Sequence, residues 1–224
     1  MLFRSELRIL AIFDKPDPLE GPYFEESIYV TPSSLPESVQ LAIERCATDA
    51  ARALGLSHGP VHAEFRINEE GVWPLEVAPR PIGGLCARSL RFSLDGSIEP
   101  VGLEELLLRH ALELPGSNSL REQNASGVMM IPVPRSGVLE EVSGEEAARA
   151  VYGITELTIT ARLQDPIAAW PEGASYLGFL FARGNTSESV ERALREAHQK
   201  LKFTITPRLP VQHPATGRMT NDSN

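Results

Sequence analysis

The sequence predicts an α+β protein built on antiparallel sheet. Three observations carry this. Residues 61–80 alternate apolar and polar side chains on two arms joined by a tight turn, as a hairpin with one buried face must. Residues 126–206 read strand, helix, strand, strand, helix, strand. A length of 224 residues with 42% hydrophobic and 23% charged residues leaves room for one large or two small soluble domains.

Composition narrows the partners. The net charge of −9 argues against nucleic acid, since phosphate backbones need a basic footprint, yet leaves room for a local cationic site. Lysine occurs only at Lys15, Lys200 and Lys202. Two cysteines, Cys46 and Cys86, make neither a disulfide framework nor a zinc quartet. Cys46 falls at a helical core position and reads as a buried, reduced thiol of a cytoplasmic protein. The start, MLFRSELRIL, carries no signal-peptide pattern, and no apolar run is long enough to span a membrane.

Taken in order, residues 5–13 read as a strand, so the chain is expected to begin inside a longer domain. Residues 14–36 hold five prolines and one short extended run, 26–31. A connection of that length with three aromatics reads as an ordered loop lining a site. Ser34 and Glu37 have capping-box spacing. The helix that follows shows apolar residues at Val39, Ala42, Ile43, Cys46, Ala50, Ala53 and Leu54, and Gly55 stops it. After the hairpin come a short helix over 85–92 and a stronger one over 103–114, ended by Pro115-Gly116. The polar run 115–124 marks a domain boundary, giving domains 1–116 and 117–206 and a disordered tail 207–224. In the second domain, strands over 126–134, 154–163, 176–183 and 203–206 and helices over 144–152 and 187–201 make the β-α-β-β-α-β order of ferredoxin-like domains.

The hairpin holds the chemistry. A three-residue loop Glu69-Glu70-Gly71, with Gly71 left-handed, pairs Asn68 with Val72. Glu64 then faces Glu76, and His62 faces Ala78. Like charges in cross-strand positions are destabilising, and a multivalent cation between them reverses the sign. Two carboxylates with open positions beside them suit Mg²⁺, which takes one or two carboxylates plus substrate phosphates. Arg80 continues the alternation of Glu76 and can reach an anion beside the metal with its planar fork. Gly83 and Gly84 let the backbone approach a ligand and offer N–H donors. The competing reading is a solvated polar face with ordinary charges. A lone His on a strand, as His62 is, is more often structural than catalytic, and a zinc site from His62 and Glu64 lacks a third ligand at a recognisable spacing.

The stretch HAEFRINEEGVWPLEVAPRPIGG resembles the metal-binding strands of the ATP-grasp superfamily, in which a Glu on one strand is followed by Glu-x-Asn-Pro-Arg on the next. Here these are Glu64 and Glu76-Val77-Ala78-Pro79-Arg80, with Ala78 in place of the Asn. The loop FDKPDPLEGPYFEESIYVTPS and the segment SYLGFLFARG resemble the L-amino acid (dipeptide) ligase subgroup and its extra C-terminal domain. The resemblance implies a partial ATP-grasp antiparallel sheet followed by the ferredoxin-like domain. It implies an amide-forming ligase that uses ATP and Mg²⁺ (or Mn²⁺) through an acyl phosphate. By the same resemblance Glu64 and Glu76 are metal ligands, Arg80 is catalytic and substrate-binding, His62, Gly83, Gly84 and Glu26 meet substrate (Glu25 being an equally charged neighbour of Glu26), and Lys15 touches the nucleotide. The family's preceding nucleotide-clamping region has no counterpart here, so a truncated ligase is expected, with a cut sheet edge open to homodimer formation. Two other functions stay open: a non-catalytic amino-acid-binding or regulatory module, and a small metal-dependent hydrolase using His62 and Glu64.

Overall fold

The computed structural model describes residues 1–3, 6–17, 27–94, 98–114, 119–173, 175–208, 211–212 and 219–220. The chain opens with a pair of short strands, β1 (Leu2–Phe3) and β2 (Glu6–Leu7). The strand expected over 5–13 is therefore confined to Glu6–Leu7. Residues 8–13 join no ladder, and Leu10, Ala11 and Phe13 instead pack against the apolar cluster around Phe92. Alternation reveals a face to bury but does not supply a partner strand.

Strand β3 (Ile28–Thr31) is buried at every position. Helix α1 (Glu37–Ala53) follows. Its expected capping box does not form. Pro36 occupies the N-cap position, and Ser34 donates both its backbone N–H and its hydroxyl to the Asp14 carboxylate, at 2.7 and 2.8 Å. The buried face of α1 is Ile43, Ala47 and Ala51, spaced by four. It is rotated from the expected face: Leu54 is exposed and Cys46 only half-buried. Gly55, at φ +69°, ends the helix as expected.

The hairpin is β4 (His62–Asn68) with β5 (Gly71–Ala78), and α1 packs across β5. A single 3₁₀ turn, Cys86–Ser89, replaces the helix expected over 85–92. Then come β6 (Phe92–Ser93), α2 (Leu103–Ala111) and β7 (Leu120–Arg121), the two strands pairing with each other.

The second region runs β8 (Ala125–Ile131), β9 (Gly137–Ser143), α3 (Glu145–Arg149), β10 (Ile154–Ile159), β11 (Pro166–Ile167), β12 (Gly178–Gly184), α4 (Ser187–Lys200) and β13 (Lys202–Thr206). In the tail, β14 (Val211–Gln212) pairs with β15 (Met219–Thr220), and the rest of residues 209–224 lies outside the described residues. A four-stranded antiparallel sheet has the order β10-β12-β8-β3. The sheet thus takes its edge strand from the Pro-rich connection near the start of the chain. Strand β9 lacks a clean strand pattern because adjacent Glu140 and Glu141 break its alternation. It pairs with β11 and with the closing strand β13 in a second sheet. The architecture is mixed α and β with antiparallel sheets and few helices, as expected. Among the described residues no helix is long and apolar enough to cross a membrane.

The main core lies where α4 buries Val190, Ala193, Leu194 and Ala197 against β8 and β12. Thr186 and Ser189 form a capping box at the start of α4. Leu194 has no exposed surface. Leu194→Ala is expected to cost about 2–5 kcal/mol, the range for emptying a well-packed aliphatic site, read as a lowered urea midpoint with an unchanged m-value. Two smaller clusters tie the first region to the second. Phe13 and Ile82 both pack into the group around Phe92 and into the group of Tyr29, Cys86, Val128, Met130 and Phe181. Phe13 stands two residues before Lys15, and Ile82 two after Arg80, so these packing contacts position both flanks of the polar face.

Candidate active site

The hairpin register brings Glu64 opposite Glu76 and His62 opposite Ala78, as expected, but by a different route. Asn68 pairs with Gly71 across a two-residue loop, not with Val72. Asn68 Oδ1 accepts from the Glu70 and Gly71 N–H groups at 3.0 and 3.1 Å and from Trp73 Nε1 at 3.1 Å. That side-chain turn tightens the loop by one residue. An irregularity between Glu64 and Phe65 then takes up one extra residue on β5 and restores the expected pairing at the carboxylates. Bulges of this kind re-aim side chains next to functional sites.

Five charged or polar side chains form a continuous row. Lys15 Nζ lies 3.2 Å from Glu64 Oε2 and 5.3 Å from the centre of the Tyr29 ring. His62 Nε2 is 3.6 Å from Glu64 Oε1. Across the strands, Glu76 Oε1 accepts from Arg80 at 3.0 Å, and Arg80 also donates to the Pro81 carbonyl at 3.1 Å. Each facing carboxylate is thus matched by its own cation. Glu64 and Lys15 are mostly buried, at 24% and 22% exposure, whereas Glu76 and Arg80 are half exposed at 49% each. The Lys15–Glu64 contact therefore holds the firmer geometry, and the Glu76–Arg80 pair is the one solvent screens.

This donor set fits a hard divalent cation. Two oxygen-only carboxylates from facing strands are the number Mg²⁺ commonly takes from protein, and the rest of its shell goes to water and phosphate. No third His, Cys, Asp or Glu joins them as a cage among the described residues.

Burial pushes the His62 imidazole below its ordinary value; Glu64 and Glu76 pull it up, and Arg80 and Lys15 press it down further. Its Nδ1 is buried without a hydrogen-bond partner among the described residues. The unfolded chain therefore takes up a proton at His62, near the ordinary value of 6.5, more readily than the fold does. The unfolded state binds more protons as the pH falls through and below that value, so stability is present above it and lost below. Acidification from about pH 7 to pH 5 is expected to lower the denaturation midpoint more in the native sequence than in His62→Gln. His110 and His198, lowered by burial too, keep part of the slope in the variant.

Lys15, His62 and Glu64 open onto a cavity of about 660 Å³. Its inner walls are apolar, from Ile9, Phe13, Phe65 and Ile82, and its polar rim adds Asp14 and, from α4, Ser187, Glu188 and Glu191. Arg80, Glu76, Gly83 and Gly84 do not line this cavity. Gly83 has open space where a Cβ would stand, which leaves room for a ligand against its backbone. Gly84 has a different reason to be glycine: its φ is +60°, and a Cβ would come 2.9 Å from the Met130 thioether. Glu26 and Glu25 lie outside the described residues. Sequence reasoning missed the Tyr29 ring beside Lys15 and the contribution of α4 to the rim. The Glu191–Arg195 spacing of four on α4 was a readable signal, but it pointed to no site.

Residues 1–89 match the ATP-grasp domain family, and residues 129–206 match the L-amino acid ligase C-terminal domain 2. The first region of the chain is thus similar to ATP-grasp domains. The second region is similar to the C-terminal domain 2 of L-amino acid ligases. The L-amino acid ligase from Bacillus licheniformis superposes with a TM-score of 0.77 at 27% identity, over 92% of this chain and 50% of that one. An uncharacterised protein of Sinorhizobium fredii is 26% identical over 165 residues, 74% of this chain and 33% of its own length. Carnosine synthase 1 of Gallus gallus is 31% identical over 132 residues, 57% of this chain and 14% of its own. The chain thus spans half of the solved ligase and a third or less of the two other relatives.

Proposed function

We propose that this chain provides the metal- and substrate-facing part of an ATP-dependent ligase that joins a carboxylate, an amino acid in the first instance, to an amine. The observation that carries this reading is the row Lys15, Glu64, Glu76, Arg80: two carboxylates face each other across a hairpin, with a cation held against each.

In the proposed reaction a substrate carboxylate oxygen attacks the γ-phosphorus of ATP, the bond to the ADP oxygen breaks, and an acyl phosphate forms. The amine nitrogen then attacks the acyl carbon, the bond to the phosphate oxygen breaks, and phosphate leaves as the amine gives up a proton. Glu64 and Glu76 would hold Mg²⁺, or Mn²⁺, which when bound would supply positive charge to offset that on the phosphoryl oxygens. Arg80, its fork free to turn from Glu76 to an anion, binds the substrate carboxylate and the acyl phosphate and stabilises the charge that develops there. Lys15, steered by Glu64, points an ammonium group at the nucleotide. His62 contacts substrate with a nitrogen able to hold a proton, and the apolar walls of the adjoining cavity exclude water beside it. Glu26 is proposed to meet the substrate amine, and the Gly83 and Gly84 backbone the anion.

The test is ADP release from Mg·ATP by this chain across the amino acids, singly and in pairs. Release that needs Mg²⁺ and an amino acid is the expected result. Calorimetric binding of an amino acid that is indifferent to Mg·ATP, with no ADP release, would instead identify a binding or regulatory module.

A further inference from the structure

Lys15 is held from both sides, and one of the holds comes from the far end of the chain. Before it, Asp14 exchanges backbone hydrogen bonds with Val30 at 2.8 and 3.0 Å, and its carboxylate accepts from Ser34. After it, Asp17 Oδ1 accepts from the guanidinium of Arg195 at 2.7 Å, while Oδ2 accepts from Ser27 Oγ at 2.5 Å. Arg195 lies on α4, and its Nε donates to Glu191 one turn earlier at 2.8 Å. Ser187, at the start of the same helix, donates to the Pro32 carbonyl at 2.5 Å. The helix is itself fixed by Val190, Ala193, Leu194 and Ala197 in the main core.

An ordinary surface ion pair would carry little weight here. This one differs in two respects. The side chains are 40% and 23% exposed, and the planar fork of Arg195 spans two carboxylates at once, which the point charge of a lysine cannot do. Asp17 is likewise shared, between Arg195 and Ser27. Each partner thus restricts the other's rotamers, and the clamp joins the segment bearing Lys15 to a rigid helix.

We propose that Arg195 is a positioning residue: through Asp17 it fixes the backbone from which Lys15 reaches Glu64, so that α4 of the C-terminal region sets the nucleotide-facing lysine. The role of Lys15 rests on the ligase reading above; the positioning itself does not.

Lysine acetylation tests it on the whole chain, because Lys15 is one of only three lysines and Lys202 serves as the internal reference. Acetic anhydride labelling, read by peptide mass spectrometry, is expected to modify Lys15 severalfold faster in Arg195→Ala and in Asp17→Asn than in the native chain. The double variant should be no faster than either single one, since both act on one contact. Asp17→Glu, which keeps the carboxylate, should recover most of the protection. Arg192→Ala, an exposed arginine on the same helix, should label as the native chain does. Native labelling of Lys15 in both Arg195→Ala and Asp17→Asn, with the circular dichroism unchanged, overturns the proposal, as does an equal increase in Arg192→Ala. In the ADP-release assay Arg195→Ala should lower kcat by about tenfold or more, with KM for ATP moving less, as misplacement of a remote group does. Faster labelling in a chain that releases no ADP with any amino acid would uphold the positioning and reject the ligase reading.

Discussion

Under the proposed ligase reading, Glu76→Gln is expected to abolish stabilisation by Mg²⁺ and to reduce Mg²⁺-dependent ADP release by roughly a hundredfold. Without metal the substitution should be almost silent. It relieves a cross-strand repulsion with Glu64 and removes the partner of Arg80, two small effects of opposite sign at a half-exposed position. A net change within about 0.5 kcal/mol is the expectation for such a surface site. With metal the difference appears. A ligand at ten times its dissociation constant raises stability by about 1.4 kcal/mol, and a neutral amide in place of one carboxylate forfeits most of that binding. Thermal unfolding with and without Mg²⁺, alongside a Mn²⁺ titration followed by electron paramagnetic resonance, reads both terms. An equal Mg²⁺ shift in the native chain and the variant would remove Glu76 from the metal site. Glu64→Gln should lose the Mg²⁺ shift as well, and it should also release Lys15 from its 3.2 Å contact.

Arg80→Lys is the second large effect: a kcat lower by about a hundredfold with the unfolding midpoint unchanged. The fold should not register the change, because Arg80 is half exposed and its recorded partners are the Glu76 carboxylate and the neighbouring Pro81 carbonyl. The chemistry should. A lysine keeps the charge but loses the rigid fork that grips a carboxylate or acyl phosphate through two parallel hydrogen bonds. Product-release kinetics at saturating ATP measure it, and a lysine variant that turns over at the native rate would show that Arg80 supplies charge alone.

Much of the fold was legible because its signals are local. The buried face of α4, Val190, Ala193, Leu194 and Ala197, follows directly from helical spacing. The facing of Glu64 and Glu76 followed from a period of two plus a tight turn. Even there the facing depends on two compensating features that no pattern displays, the Asn68 side-chain turn and the irregularity beside Glu64. The errors share a cause. Residues 8–13 alternate like a strand, but what they meet is the Phe92 cluster, not a free sheet edge. Ser34 has the spacing of an N-cap, but Asp14 outcompetes the helix for its hydroxyl. In each case the local preference was real, and a residue distant in sequence offered a better contact.

The site divides the same way. Sequence alone determined the facing carboxylate pair and the arginine in phase with it, because these sit within one hairpin where spacing dictates facing. Only the tertiary structure decided that Lys15 closes on Glu64, that Tyr29 lies beneath it, and that β3 completes a sheet otherwise built from the second half of the chain. It alone revealed that Arg195 reaches across to Asp17. Those contacts join residues far apart along the chain. Their partners are chosen by how helices and sheets pack in three dimensions, and a one-dimensional period carries no record of that choice.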